Sequence, residues 1–432
     1  MEYNKIMLKK TRTILFSVCL ILFICLAPTI VLYSQGYRID FTSKKLTQTG
    51  GLFLKIEPKQ TEIFIDDKLK KKTDFFFGSA LIENLLPKKY KIQIKKDGYY
   101  SWQKDLEIKE KEVTEVKNII LIPESPNFHI LTNRVKEFWF TPDGKNIILK
   151  EYTLSPINNK NSWSLKLYNL ENSLKSHLIS EEDISSGEVD LLDLEFPSNS
   201  KEISLKIGAK EQLKFFSLEI NKTPPVLTEI KQVLTSSENI ITSKTVNQDV
   251  YYLDNLGFVF KNEERLNSNE NPFSVKPETK YVLEIFKNFL FLRENKTLYQ
   301  FNPDLKAFEK FFEGIKDLKI SPDNRKIVYF SDNEIWILFL EDISSQPKRK
   351  TGEKLFLIRL SEEIKDCFWL NSNYLIFNVE NKLKIVEIDD RDRINIIEIA
   401  EFKNPEMFWN QFDKKLYLLS EENIYQSEKL LF

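Results

Sequence analysis

The distribution of hydrophobic positions divides this chain into stretches of different period. From Thr13 to Tyr33 there are twenty-one consecutive residues without a charge. A helix of about 20 such residues crosses the roughly 30 Å hydrocarbon core of a bilayer. The run offers Ile14, Leu15, Phe16, Leu20, Ile21, Leu22, Phe23, Ile24, Ile30, Val31 and Leu32 as its membrane-anchoring side chains. Lys5, Lys9, Lys10 and Arg12 precede it, against the single acid Glu2. Basic flanks stay in the cytoplasm, so the N-terminus is expected inside and the remaining chain outside. A cleaved signal peptide has an apolar region of only about 7–15 residues and small residues at the cut. This run is longer, and a cut after Ala27 would fall beside Pro28. An uncleaved anchor is therefore the expectation. Neither Cys19, after Ser17-Val18, nor Cys25, after Phe23-Ile24, has the small neighbour that lipoprotein processing requires.

Beyond the helix the period drops to two. In TEIFIDDK, Ile63 and Ile65 share one face while Glu62, Phe64 and Asp66 share the other, which is the alternation of a half-buried strand. Asp66-Asp67 turns the chain, and Tyr90, Ile92 and Ile94 alternate with lysines in the next strand until Asp97-Gly98 ends it. A last strand, EVTEVKNIILI, precedes Pro123 and Pro126, which mark a linker.

The run from Leu52 to Leu121 resembles a PEGA domain, a small β-sandwich of surface and envelope proteins. The resemblance rests on an entry strand ending in Pro58, a strand of the form xIxIDxK, a Leu-Pro turn at Pro87 with Tyr90 before a basic strand, and the closing Lys-Asp-Gly98-Tyr99. Pro58-Lys59-Gln60-Thr61 stands where Pro-Glu-Gly-Ala gives that family its name. The segment from Tyr33 to Asp40 resembles the lead-in of bacterial membrane-anchored members. The resemblance implies a spacer domain next to the membrane.

From Asn127 onwards a longer pattern repeats. Its clearest copies are VKEFWFTPDGKNIILKEY at 135 and IKDLKISPDNRKIVYFSDNEIWILFL at 315, each a strand, a Pro-Asp turn and a strand. Weaker copies start at 191, 364 and 405, and turns fall near Pro142, Pro197, Asn247, Lys287, Pro322, Asn371 and Gln411. That spacing brackets the roughly 40–45 residues of a four-stranded propeller blade. The count is seven, with six and eight left open by the copies at 247 and 287. Thr141 to Lys145 and Ser321 to Arg325 resemble the Ser-Pro-Asp-Gly-Lys hallmark of WD-like propeller repeats of bacterial exported proteins. The fold class expected is mainly β: a cytoplasmic stub at 1–12, a transmembrane helix at 13–34, a juxtamembrane linker at 35–50, a PEGA-like β-sandwich at 51–123 and a β-propeller of about seven blades at 127–432.

Composition changes this picture only by exclusion. The 63 basic and 64 acidic residues leave a formal charge of -1, without the basic excess of a dedicated nucleic-acid binder. Cys367 is the one cysteine after the anchor, so no disulfide can form within the exported part. His129 and His177 are the only histidines and glycines number eleven, which leaves almost no material for His-based metal sites, catalytic triads or phosphate loops.

Several clusters have a bland reading that outweighs a functional one. Asp389, Asp390 and Asp392 with Arg391 and Arg393 read as a solvated turn between blade strands. The lysines at 68 to 72, with Lys88, Lys89, Lys95 and Lys96, read as protection of an edge strand before they read as a basic face for anionic polymers. Tyr99, Tyr100 and Trp102 are the one aromatic group that a tip would present, yet at least two are expected in the core. Trp139, Trp336, Trp369 and Trp409 are expected to pack between blades.

The function expected is a membrane-anchored cell-surface scaffold that is not an enzyme and needs no cofactor or metal. Its partners are the lipid bilayer, through the N-terminal helix, and an envelope protein or polysaccharide. The alternative is an exported carbohydrate-active enzyme with carboxylates in the propeller channel. Inward-pointing acids and arginines from different blades would favour the enzyme, and an apolar or small polar lining the scaffold.

Overall fold

A computed structural model of the chain describes residues 9–41, 44–154, 161–185, 187–196, 201–209, 212–230 and 239–431. Lys5 and Pro197 lie outside the described residues. The long apolar run forms one helix, Lys9–Ser34, beginning a turn before the uncharged stretch. Its section Thr11–Ser34 is long and apolar enough to cross a membrane. Ile14, Leu15, Phe16, Leu20, Ile21, Leu22, Phe23, Ile24, Ile30 and Val31 are all exposed on it, and Leu32 is half-buried. Exposure of this kind is unfavourable in water, by roughly 1.5–3 kcal/mol for each large side chain.

The helix ends at Gly36, whose φ of 85° suits a residue without a side chain. A hairpin of Tyr37–Asp40 and Lys45–Gln48 follows. Arg38 locks this exit. Its guanidinium lies 3.5 Å from the Tyr33 ring centre, and it donates to the carbonyls of Tyr33 and Tyr37 and to Asn84 Oδ1.

The chain forms two compact units, the first of which holds residues 1–122 together with 345–347 and 390–395. After the hairpin, the first unit folds as two sheets. One has the order Lys68–Lys72, Glu62–Ile65, Lys88–Lys95, Trp102–Ile108, and the other Ser79–Leu85, Gly50–Glu57, Val113–Ile120. Both press apolar faces into one core that contains Leu52, Leu54, Ile56, Ile63, Ile65, Ile92 and Ile94, the residues whose alternation marks the strands. Asp66 and Asp67 both take left-handed backbone, as the two central residues of a tight hairpin do. Gln60 also has a positive φ, 59°, at the position where the namesake motif has glycine.

Among the described residues the second unit contains seven four-stranded antiparallel sheets. Their first strands are Val135–Phe140, Asp190–Glu195, Ile240–Val246, Tyr281–Phe286, Asp317–Ile320, Ile364–Asn371 and Glu406–Asn410. Six of the sheets are consecutive in the chain. The seventh is completed by Phe128–Asn133, which pairs with Asn423–Ser427 so that both ends of the unit share one sheet. None of the sheets closes on itself as a barrel would. Seven such sheets in series are a propeller-like array.

Each sheet is apolar on its faces and buries them against a neighbour. Ile148, Trp163 and Leu165 of the first sheet meet Leu191, Ile203 and Leu205 of the second. Val135 and Leu149 of the first also meet Tyr417 and Leu419 of the seventh. Of the turn positions read from the sequence, Pro142, Asn247, Lys287, Pro322 and Gln411 fall between the first and second strands of their sheets and Asn371 ends its first strand; Asn247 and Lys287 both have positive φ. The two hallmark turns are built alike. Asp143 Oδ1 accepts from Thr141 Oγ1 at 2.6 Å and from the Lys145 amide, and Asp323 Oδ1 accepts from Ser321 Oγ at 2.6 Å and from the Arg325 amide. The aspartates cap their own turns.

Candidate functional site

The first strands of consecutive sheets lie beside one another, and their side chains alternate between the sheet core and a shared inner surface. In the copies starting at 315, 364 and 405 the acid of each strand falls at Asp317, Asp366 and Glu406. The residue after each acid, Leu318, Cys367 or Met407, is buried in its sheet, and the one after that, Lys319, Phe368 or Phe408, returns to the inner surface.

On this surface lies a cavity of about 480 Å³, lined by Phe138, Trp139, Phe140, Phe196, Phe368 and Phe408 with Lys365, Asp366, Asn378, Pro405, Glu406 and Met407. Sheets one, two, six and seven contribute. Its volume falls in the range of small-ligand sites, which are likewise mostly apolar with a few placed polar groups. The rings form a continuous wall: Phe140 stacks on Phe408 at 4.2 Å, and Phe368 meets Phe408 edge-on at 5.7 Å.

The charges around it are unevenly paired. Lys319 donates to Asp366 Oδ1 at 2.5 Å and sits 3.4 Å from the centre of the Phe368 ring. Lys150, itself buried, donates to Glu137 at 2.6 Å. Lys365 donates to Asn404 Oδ1 at 3.2 Å. Glu406 has no hydrogen-bond or ion-pair partner among the described residues. Glu406 is exposed as a residue, but partial desolvation of its carboxyl at the cavity raises it above the ordinary value, the nearby Glu137 charge raises it further, and Lys365 offsets part of this. Burial also raises Asp366, against the opposing charge of Lys319.

The aromatic lining was not legible as a site from the sequence, which assigned the tryptophans to packing. Trp369 and Trp409 are buried as expected, and the Trp369 indole donates to Lys319 O at 2.8 Å across neighbouring sheets. Trp336 packs against the core of sheets four and five. Trp139 departs from the expectation, since it also lines the cavity. The signal was present in the recurring Phe-Trp pairs at 138–139, 368–369 and 408–409. In the pairs at 368–369 and 408–409 the tryptophan is buried in the core and the phenylalanine lines the cavity, whereas Phe138 and Trp139 both line it.

In the first unit, the lysines of Lys68–Lys72 occupy an exposed edge strand, as expected. Trp102 is in the core and Tyr99 packs against it. The exposed aromatic tip is instead Phe75, Phe76 and Phe77, whose loop is held by Asp74 accepting from the amides of Phe77 and Ser79. The turn at 389–393 lies between two strands of one sheet with Asp392 and Arg393 exposed, as expected, and it is also anchored. Within the first unit Lys104, fully buried, donates to the carbonyls of Arg391 and Arg393 at 2.9 and 2.7 Å, and Asp392 accepts from the Asp105 amide. Two of these contacts are to backbone carbonyls, which a charge count ignores.

Arg12 is exposed near the start of the helix, and Lys9 and Lys10 form its first turn. His129 and His177 are exposed on separate strands. Among the described residues no three His, Cys, Asp or Glu are grouped so as to hold a metal ion.

No family model and no curated protein matches the chain. Among solved structures it is similar to the β-propeller domain of Myceliophteria thermophila Cps50 (Swd1), at 11% sequence identity over 71% of this chain and 99% of that one, with a TM-score of 0.40. The propeller-like description here rests on the sheet topology, not on that likeness.

Proposed function

We propose that this chain is a single-pass membrane protein, cytoplasmic at its N-terminus, that presents a β-propeller outside the membrane as a binding scaffold for an envelope protein or polysaccharide. The observation that carries the binding role is the aromatic cavity on the inner surface of the first strands, open to solvent and built from four sheets. An apolar helix with nearly all of its large side chains exposed supports the anchor, because burial in lipid removes the cost of that exposure. The resemblance to PEGA domains gains support from the left-handed backbone at Gln60 and from the two sheets packed on one core. In this reading the first unit is the membrane-proximal spacer and the second the binding platform.

The enzyme reading draws on acids from several first strands: Glu137, Glu284, Asp317, Asp366 and Glu406. Most of them are engaged. Glu137 is paired with Lys150 at 2.6 Å, Glu284 with Lys244 at 3.8 Å and Asp366 with Lys319 at 2.5 Å. A glycosidase needs two carboxyl groups free to act as acid and as base or nucleophile, and the scaffold is therefore preferred.

Crosslinking on intact cells followed by recovery of the chain tests the scaffold: one dominant partner or polymer is expected. Protease shaving of the same cells tests orientation, and resistance of the second unit until the membrane is opened would contradict it.

A further inference from the structure

The repeat that builds the inner surface also shows where a charge is missing. In the strand Asp317–Ile320 the residue two past the acid is Lys319, which reaches into the next sheet to neutralise Asp366 and cover the Phe368 ring. One repeat further on, the residue in the place of Lys319 is Phe368, the acid in the place of Asp366 is Glu406, and the ring in the place of Phe368 is Phe408. The acid and the ring recur at the same spacing, but the place of the lysine that would satisfy them is taken by Phe368 itself. Asp366 therefore has a direct ion pair from within the chain, whereas Glu406 has only the more distant charge of Lys365 and no ion pair among the described residues.

We propose that the cavity receives a basic side chain, lysine or arginine, of a partner protein, with its charge on Glu406 and its stem against Phe138, Phe368 and Phe408. Cations bind over aromatic faces when a negative group is also at hand, and the internal pair of Lys319 with Asp366 and Phe368 displays that arrangement one repeat away. The groups facing Glu406 are Glu137 from sheet one, already paired with Lys150, and Lys365 and Asp366 from sheet six, the latter paired with Lys319. An entering cation relieves the repulsion between Glu406 and Glu137, at the cost of some repulsion from Lys365. The inference rests on the scaffold reading and names the chemistry of its partner.

The test uses the full chain in detergent micelles and three probes: the Nα-acetyl amides of arginine, lysine and norleucine. Saturation-transfer NMR should show the two cationic probes bound and the norleucine amide bound at least tenfold more weakly. Glu406→Gln should weaken the cationic probes at least fivefold, and so should lowering the pH until Glu406 is protonated. Phe368→Lys restores the internal cation and should abolish probe binding while leaving the fold intact by circular dichroism. Equal binding of all three probes, binding unaffected by Glu406→Gln, or no binding of any probe overturns the inference. Failure here is distinguishable from failure of the scaffold reading. A partner crosslinked equally to wild type and Glu406→Gln leaves the scaffold standing and removes this site. Probes that bind where no partner is ever captured do the reverse.

Discussion

The side-chain amide of Asn410 donates to the carbonyl of Gly144 at 2.8 Å, joining the seventh sheet to the hallmark turn of the first. Gly144 has a φ of 68°, and a Cβ added to it would lie 2.4 Å from Asn410 Oδ1. Gly144→Ala therefore combines a left-handed backbone penalty of roughly 1–2 kcal/mol with a collision. Asn410→Ala leaves the Gly144 carbonyl and the Phe412 amide without this partner, at roughly 1–3 kcal/mol. Because Asn410→Ala also removes the atom that the new methyl would strike, the double variant should lose less stability than the sum of the two. Urea midpoints of the four proteins check this, and strict additivity would contradict the contact.

Glu294 accepts from Tyr281 Oη at 3.0 Å, Tyr299 Oη at 3.2 Å and Lys276 Nζ at 2.9 Å. Burial alone would raise its carboxyl, but these three donors hold it below the ordinary value. A depressed carboxyl contributes stability that is present above the unfolded-state pKa and is lost as pH falls through the folded one. Glu294→Ala should cost roughly 1–3 kcal/mol near neutrality, by stranding two tyrosine hydroxyls. The deficit should shrink in acid, which thermal melts between pH 7 and pH 3 would reveal.

Glu406 has the opposite sign. Its raised carboxyl lowers stability as pH climbs from the ordinary glutamate range through the raised value, because the folded state holds the proton more tightly than the unfolded one. Glu406→Gln should therefore raise the melting temperature slightly at neutral pH and have no effect in acid. A residue retained at a cost in stability is what a binding role leads one to expect. A lower melting temperature for Glu406→Gln at neutral pH would argue that the side chain is structural.

Cys367 is fully buried in a first strand, and burial drives its thiol well above the usual range. With Cys19 and Cys25 replaced by serine, a water-soluble maleimide should leave the folded protein unlabelled and modify one thiol per chain in denaturant. Labelling of the native protein would show that the strand Ile364–Asn371 is not packed as described.

The sequence made the elements legible where a short-range pattern decides them. The helix follows from uncharged length, the strands around Ile63 and Ile92 from alternation, and the approximate sheet count from the spacing of repeated strand-turn-strand copies, because each of these depends on neighbours in the chain. The cavity depends on residues up to 270 positions apart, from Phe138 to Phe408, brought together by sheets whose partner faces no local pattern names. The anchoring of the turn at Asp389 to Arg393 is hidden for a related reason. Its attachment uses the carbonyls of Arg391 and Arg393, and backbone groups carry no sequence signature. Phe75 to Phe77 carry no alternation that marks them as exposed, and their place at a loop tip is set by Asp74.

The most direct measurement places a photo-crosslinking amino acid at Phe138, on the inner surface, and in a second protein at Leu174, exposed on the last strand of the same sheet, and irradiates intact cells. The expected result is a discrete adduct from position 138, recovered with the membrane fraction, weakened by Glu406→Gln and absent from position 174. Adducts from 174 alone, or a chain found free of the membrane, would contradict a tethered scaffold that binds through its inner surface.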